Sequence, residues 1–152
     1  MTPLAEILLK AKGTFNFVPD NEAPNSVRAA VAIYWLVFSA VLIRIVSGVG
    51  VPPFSTAPEK EGAITLFLLL LAFFVFYAIT IMRLSAGKPW ARNLSLLVTA
   101  SLIVTTLYHL LADRLSAQQN NVVGLTVTVA ETVAGLFLLT SGSAAWFKSR
   151  LN

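Results

Sequence analysis

The chain has 152 residues and a formal net charge of +4; 57% of its residues are hydrophobic and only 12% are charged. Soluble proteins carry about 25% charged residues, so this composition excludes an ordinary soluble domain and indicates an integral membrane protein. The basic residues lie at the ends of apolar segments, which is the pattern of membrane topology, so we expect no nucleic-acid partner.

The chain begins with a polar leader, residues 1–26, ahead of the first apolar segment. Within it, residues 3–11 are predicted to form a short amphipathic helix, with Leu4 and Leu8 on one face and Lys10 on the other. Such a helix is typical of an anchor that lies at the membrane surface; a docking or lipid-sensing element is the alternative. A signal peptide is not expected, because the apolar segment begins late and an acidic stretch precedes it.

Four apolar segments follow, each long enough to cross a hydrocarbon core of about 30 Å as a helix. Gly87, Lys88 and Pro89 form a tight turn between the second and third segments, so these two helices must be antiparallel neighbours. The predicted spans are about 27–49, 63–82, 90–112 and 122–147. The predicted fold class is therefore an all-α integral membrane protein, an antiparallel four-helix transmembrane bundle with a short N-terminal amphipathic interfacial helix.

The distribution of basic residues predicts the orientation, because short loops rich in Lys and Arg stay on the cytoplasmic side. Arg83, Lys88 and Arg92 surround the second loop without an acid, and Lys148 and Arg150 follow the fourth span. The first and third loops contain acids beside their basic residues. We therefore expect a multi-pass protein of the bacterial inner membrane, with both termini in the cytoplasm and these two loops in the periplasm.

Three ionisable residues lie inside the predicted spans, where each costs at least about 2.5 kcal/mol on insertion scales. They are Arg44, His109 and Glu131. Arg44 lies about five residues, or roughly 8 Å, from the outer end of its span, and Glu131 lies about nine residues, or roughly 13 Å, from its own outer end. An ion pair between Arg44 and Glu131 is geometrically possible, and we expect all three residues in the periplasmic half.

Other polar residues share the helix faces of these three. On the third span, steps of four residues lead from Ser101 through Thr105 and His109 to the acid that follows the span. On the fourth span, Thr128 lies on the small and polar face of Glu131, which permits close helix approach. The predicted partner or intramembrane polar site consists of Glu131, Arg44, His109, Asp113, Thr105 and Thr128. The alternative for each is structural: snorkelling, interhelical pairing or an interfacial position.

The sequence contains no catalytic or metal-binding motif at a recognisable spacing. With one histidine and no cysteine, the chain cannot build a conventional zinc site, a disulfide or a cysteine nucleophile. We therefore expect neither an enzyme nor a cofactor. Internal repeats, which secondary transporters usually carry, are not visible either.

Three short motifs carry a resemblance to known proteins. They are NSVRA at residues 25–29 before a Tyr34-Trp35 pair, GKPWAR at residues 87–92, and AWF at residues 145–147. Together they resemble small four-span proteins of proteobacterial inner membranes, which are largely uncharacterised. The resemblance spans most of the chain and implies the same fold and location, but it adds little about function.

Two functions are predicted from this pattern. The first is a non-enzymatic protein that binds a partner within the membrane or at its periplasmic side, as an accessory subunit or as an immunity protein against a membrane-acting toxin. The alternative is an oligomeric small channel or transporter, with the polar face of the third span lining a path through the outer half of the bundle. A purely structural or lipid-organising role is a third possibility. The expected partners are the lipid bilayer and a membrane protein or further copies of this chain.

Overall fold

The computed structural model describes residues 16–48, 57–112 and 119–150, which contain five α-helices and no strand. The helices are α1 (Asn25–Gly48), α2 (Ala57–Ser85), α3 (Pro89–Ala112), α4 (Gln119–Leu139) and α5 (Ser141–Ser149). The first four are long and apolar enough to cross a membrane. The predicted fold class, an all-α four-helix membrane bundle, is confirmed. The predicted amphipathic helix over residues 3–11 lies outside the described residues.

The four long helices form an up-and-down bundle in which sequence neighbours are also spatial neighbours. Helix α1 packs against α2 and α4, and α3 packs against the same two helices. The contact between α1 and α4 is the most extensive. Consequently α1 faces α3, and α2 faces α4, across the centre of the bundle.

The tight turn between α2 and α3 is confirmed. Gly87 has a φ of 76°, a left-handed backbone conformation that residues with a side chain rarely adopt. Its N–H donates to the carbonyl of Leu84, and the N–H of Lys88 donates to the carbonyl of Arg83, both at 3.0 Å. These two bonds satisfy carbonyls at the end of α2 in a Schellman motif. Pro89 then opens α3, where its missing N–H leaves no hydrogen bond unmade.

The predicted fourth span, 122–147, differs from the structure, which divides it into two helices. Helix α4 ends at Leu139, and Thr140 has extended backbone angles, φ −61° and ψ 149°. The Thr140 hydroxyl accepts a hydrogen bond from the Ser143 N–H and so caps α5. Serine and threonine hydroxyls offer the backbone an alternative to helical bonding, which explains why the helix ends here. Helix α5 packs on α1 and α4 and buries Trp146 and Phe147.

The buried core lies in the half of the bundle that contains the α2–α3 turn. We call this half the closed half; it comprises residues 27–37, 74–85, 89–99 and 131–139. We call the other half the open half; it comprises residues 41–47, 61–73, 100–111 and 122–130. Fully buried side chains of the closed half include Val27, Ala30, Tyr34, Ile81, Leu84, Ala91 and Leu138. Among the side chains that the structure describes in the open half, only Thr128 is buried. The helices of the open half therefore present apolar side chains to their surroundings.

The described part of the leader crosses the closed end of the bundle. The Trp35 indole N–H donates to the carbonyl of Phe17 at 3.0 Å, and the two rings stack with centroids 5.5 Å apart. The Arg150 guanidinium lies 3.2 Å from a carboxylate oxygen of Asp20 and 3.2 Å from one of Glu22. The leader is thus joined both to α1 and to the residue that follows α5.

Candidate functional site

Glu131 lies at the centre of the bundle and is only 3% exposed. Its Oε1 atom accepts a hydrogen bond from the Tyr77 hydroxyl, with 2.5 Å between the two oxygens. Tyr77 belongs to α2 and Glu131 to α4, so this bond joins two helices that face each other across the bundle. The bond gives the Tyr77 hydroxyl and Glu131 Oε1 each a hydrogen-bond partner inside the bundle.

A second polar contact crosses the other diagonal at the same level. The Tyr34 hydroxyl of α1 lies 3.3 Å from the Thr99 hydroxyl of α3. Thr99 also lies near the Glu131 carboxylate, so the two contacts adjoin each other. Helices α3 and α4 approach closely here because Gly135 has no side chain; a Cβ at this position would lie 3.2 Å from Thr99 Cγ2. All four spans therefore contribute to one polar layer.

The second carboxylate oxygen of Glu131, Oε2, is buried and has no hydrogen-bond partner among the described residues. Leaving a buried polar atom without a partner costs about 1–3 kcal/mol. Glu131 also lines a cavity of about 160 Å³ between the four long helices. The other residues that line this cavity are Val37, Phe38, Val41, Phe73, Phe74, Tyr77, Val98, Leu102 and Val127. Glu131, whose Oε2 atom lacks a hydrogen-bond partner among the described residues, thus lines a cavity whose other lining residues are mostly apolar.

Four aromatic rings form the α1 and α2 side of this cavity, and we call Phe38, Phe73, Phe74 and Tyr77 the aromatic wall. The Phe38 centroid lies 5.6 Å from that of Phe74 and 6.2 Å from that of Tyr77, and Phe73 stacks on Tyr77 at 6.2 Å. Phe73 is 56% exposed and forms the rim of the cavity. Aromatic faces carry negative electrostatic potential, so the wall and the carboxyl group together favour a positively charged donor over an anion.

Arg44 and Glu131 do not come together as the sequence suggested. The hydrogen-bond partner of Glu131 is Tyr77, whereas Arg44 is exposed in the open half of α1. Arg44 lies three residues, or roughly 4.5 Å along the helix axis, beyond Val41, the last α1 residue that lines the Glu131 cavity. Glu131 lies at the edge of the closed half, whereas Arg44 lies within the open half, so the two residues are at different levels of the bundle.

The predicted polar stripe of α3 lies on the outside of the bundle. Thr105 and His109 are both exposed. The Thr105 hydroxyl donates to the carbonyl of Ser101 at 2.8 Å, and the His109 ring lies edge-on to Tyr108 at 5.8 Å. Asp113 lies outside the described residues. A path along this stripe therefore requires further copies of the chain, and the channel alternative stays a prediction.

Thr128 is buried as its shared face with Glu131 suggested, but its contact on α3 is Thr106. The two hydroxyls lie 2.9 Å apart, and the Thr128 hydroxyl also lies 3.0 Å from the carbonyl of Gly124. This bridge joins α3 to α4 about one turn from Glu131. Thr128 therefore supports the helix that carries Glu131 without lining the cavity.

The sequence did not identify Tyr77, Tyr34 or Thr99 as parts of the site. A signal was present, because a tyrosine within an apolar span must find a partner for its hydroxyl when buried. Tyr77 also lies four residues from the buried Ile81, so one helix face carries both. What the sequence could not supply is the rotation of α2 that turns this face toward α4.

The fold and the site define a class: an all-helical, multi-pass membrane protein with a carboxyl group and a tyrosine hydroxyl paired at the centre of a four-helix bundle. The described residues contain no group of three or more His, Cys, Asp or Glu side chains that could hold a metal ion. Comparisons of the chain with known protein families, with curated proteins and with solved structures give no match.

Proposed function

We propose that this chain is a non-enzymatic membrane protein that binds a partner within the membrane, with the Glu131 carboxyl as the recognition group. The Oε2 atom, which has no hydrogen-bond partner among the described residues, is the observation that carries this function, because it is buried beside a cavity that those residues leave unfilled. A partner that brings a hydrogen-bond donor into the cavity would satisfy this oxygen.

A purely structural role accounts for only half of the Glu131 carboxyl group. The bond to Tyr77 already joins α2 and α4. Apolar residues of similar volume often stabilise a protein as well as a buried polar pair does, or better. A carboxyl group kept at this depth with one unsatisfied oxygen is better explained by a contact that the chain does not make by itself.

The open half offers the route by which a partner reaches Glu131. Its helices are exposed along their length, and the exposed Phe73 ring lies between that surface and the cavity. The basic residues Lys88 and Arg92 lie at the closed end, so the positive-inside rule would place the open half toward the periplasm. The partner is then a membrane protein met within the membrane or from its periplasmic side, either a complex subunit or a membrane-acting toxin.

Site-specific photocrosslinking in native membranes tests this function. A photoreactive phenylalanine replaces Phe73 at the rim, or Leu97, which is 63% exposed in the closed half, as the control position. We expect a discrete crosslinked membrane protein from position 73 and not from position 97. The same product should disappear when Glu131→Gln is added, but persist with Glu61→Gln, which changes an exposed glutamate of α2.

The crosslinked protein is then identified by mass spectrometry, and its crosslinked segment should be a membrane-spanning helix with a donor side chain near mid-depth. Crosslinking that is equal with and without Glu131→Gln, in protein that remains folded, would contradict the proposed function. Products formed equally from both positions would also contradict it, since they would indicate only random collision in the bilayer.

A further inference from the structure

We infer that the group bound at Glu131 is an alkylammonium ion, presented by a partner's lysine side chain or by a free lipophilic amine. This inference rests on the proposed function and specifies the chemistry that the same site recognises. It follows from three properties of the cavity: its unpaired acceptor, its aromatic wall and its volume.

The polar atoms of the cavity select a cationic donor. Within the part of the chain that the structure describes, Glu131 Oε2 has no hydrogen-bond partner, and the Tyr77 hydroxyl already donates to Oε1. An anion would meet a carboxyl group and an apolar lining, which disfavour it. A bare calcium ion needs about six to eight oxygen ligands, which this apolar lining does not offer. An ammonium group needs one strong acceptor and gains further from aromatic faces.

The apolar lining selects an alkyl stem behind the charged head. Val41, Leu102 and Val127 line the cavity together with the carboxyl group. A bare ion would leave these side chains without contacts, whereas methylene groups fill the space beside them and gain dispersion contacts. The charged head and Glu131 would compensate each other, which is how ionisable groups are generally accommodated within a membrane.

The volume limits the size of the bound group. The cavity measures about 160 Å³, close to the roughly 150 Å³ apolar cavity that accommodates benzene in another protein. It therefore accepts about six non-hydrogen atoms, which suits a butylammonium unit. Larger amines would extend past Phe73 into the open half. A lysine side chain carries this same unit, so its size matches the cavity volume.

Binding of n-butylammonium chloride to the purified full chain in lipid nanodiscs tests the inference, with saturation-transfer NMR and calorimetry as readouts. n-Butanol and sodium butyrate serve as neutral and anionic probes of matched size. We expect n-butylammonium to bind at least about tenfold more tightly than either. Glu131→Gln should weaken its binding roughly thirtyfold or more, because a charge-assisted hydrogen bond is lost.

A second pair of variants keeps the test informative if Glu131→Gln alters folding. Phe73→Leu removes a ring from the aromatic wall, and Phe67→Leu makes the same change on the exposed surface of α2. We expect Phe73→Leu to weaken n-butylammonium binding roughly two- to thirtyfold and Phe67→Leu to leave it unchanged. Equal effects of the two variants would overturn the role of the aromatic wall.

The source of the ammonium group is assigned with single-span peptides that carry either Lys or Leu at mid-depth. Preferential binding of the Lys peptide would support a lysine side chain of a partner helix. Equal binding of the two peptides, with n-butylammonium binding intact, would support a free amine.

The inference is overturned if n-butylammonium binds no more tightly than n-butanol, or if Glu131→Gln leaves its affinity unchanged. Its failure is distinguishable from that of the proposed function. Crosslinking from position 73 that still depends on Glu131, without amine binding, would reject the alkylammonium ion and retain the partner. Amine binding without any crosslinked product would reject the protein partner and retain the chemistry of the site.

Discussion

One oxygen of the Glu131 carboxyl group accepts a hydrogen bond from the described residues and the other does not. The two oxygens should therefore contribute differently to stability and to binding. The bond from Tyr77 to Oε1 supports the fold, whereas Oε2 has no hydrogen-bond partner among the described residues. Stability and binding should therefore respond differently to changes at this position.

Tyr77→Phe removes the hydroxyl and leaves Glu131 with both oxygens unpaired. We expect it to lower the free energy of unfolding by about 1–3 kcal/mol. Thermal unfolding of the purified protein in detergent measures the change, with Tyr108→Phe, a change on a 68% exposed side chain, as the control. Adding Glu131→Leu to Tyr77→Phe should restore most of the lost stability, since both polar groups are then gone. A double variant less stable than Tyr77→Phe alone would contradict this assignment.

Gly87 is restricted both by its backbone angle and by its neighbours. Its φ is 76°, and a Cβ would lie 3.0 Å from Trp146 Cη2 and 3.0 Å from Arg150 Cγ. We expect Gly87→Ala to cost about 1–3 kcal/mol of stability, measured by thermal unfolding. Gly142→Ala is the control, because nothing lies within 4 Å of the added Cβ. Equal melting temperatures for the two variants would argue against the close packing of Trp146 on this turn.

At the scale of elements, the long helices were predictable and the last helix was not. Apolar segments of sufficient length, together with Gly87 and Pro89, located the four spans to within a few residues, except for the end of the fourth. That end was missed because Thr140 and Ser143 lie within a segment whose overall composition still suits a span. A hydroxyl group that caps the next helix can end the preceding one, but it hardly changes the mean hydropathy of the segment.

Only part of the candidate site was predictable from the sequence. Glu131 was recognisable because a carboxyl group within a span is costly. Its partner Tyr77 was not, because spans that are apolar on every side give no periodicity from which to infer their rotation.

Helix α5 is held to the bundle by hydroxyl groups, which gives a prediction at this scale. The Ser143 hydroxyl is fully buried, donates to the carbonyl of Phe137 at 2.8 Å and lies 2.8 Å from the Ser26 hydroxyl. We expect Ser143→Ala to lower stability by about 1–2 kcal/mol, detected by thermal unfolding followed through tryptophan fluorescence. Ser141→Ala, on an exposed residue of the same helix, should have little effect. A stable Ser143→Ala variant would mean that apolar burial alone fixes α5.

At the scale of the whole molecule, the bundle is packed at one end and open at the other. The closed half contains the buried apolar core and is covered by the leader and α5, whereas the open half exposes apolar side chains. This asymmetry places Glu131 at the boundary between the packed closed half and the exposed open half. The proposed function depends on which side of the membrane that surface faces.

The absence of cysteine makes the orientation directly measurable, because any introduced cysteine is unique. We expect a membrane-impermeant maleimide to label Ser116→Cys in intact cells, and to label Lys148→Cys only after the membrane is permeabilised. The labelling is read by mass shift on gels. The reverse pattern would invert the orientation and direct the open half toward the cytoplasm.

The central claim is that the buried Glu131 carboxyl is reachable through the cavity and is the group that a ligand contacts. Labelling of the chain in nanodiscs with a hydrophobic carbodiimide, followed by peptide mass spectrometry, tests it most directly, because carbodiimides modify carboxylic acids from within the lipid phase. We predict modification at Glu131, counted as N-acylurea and butylamide together, that n-butylammonium slows and n-butanol does not. An unmodified Glu131, or modification that n-butylammonium leaves unchanged, would contradict the claim.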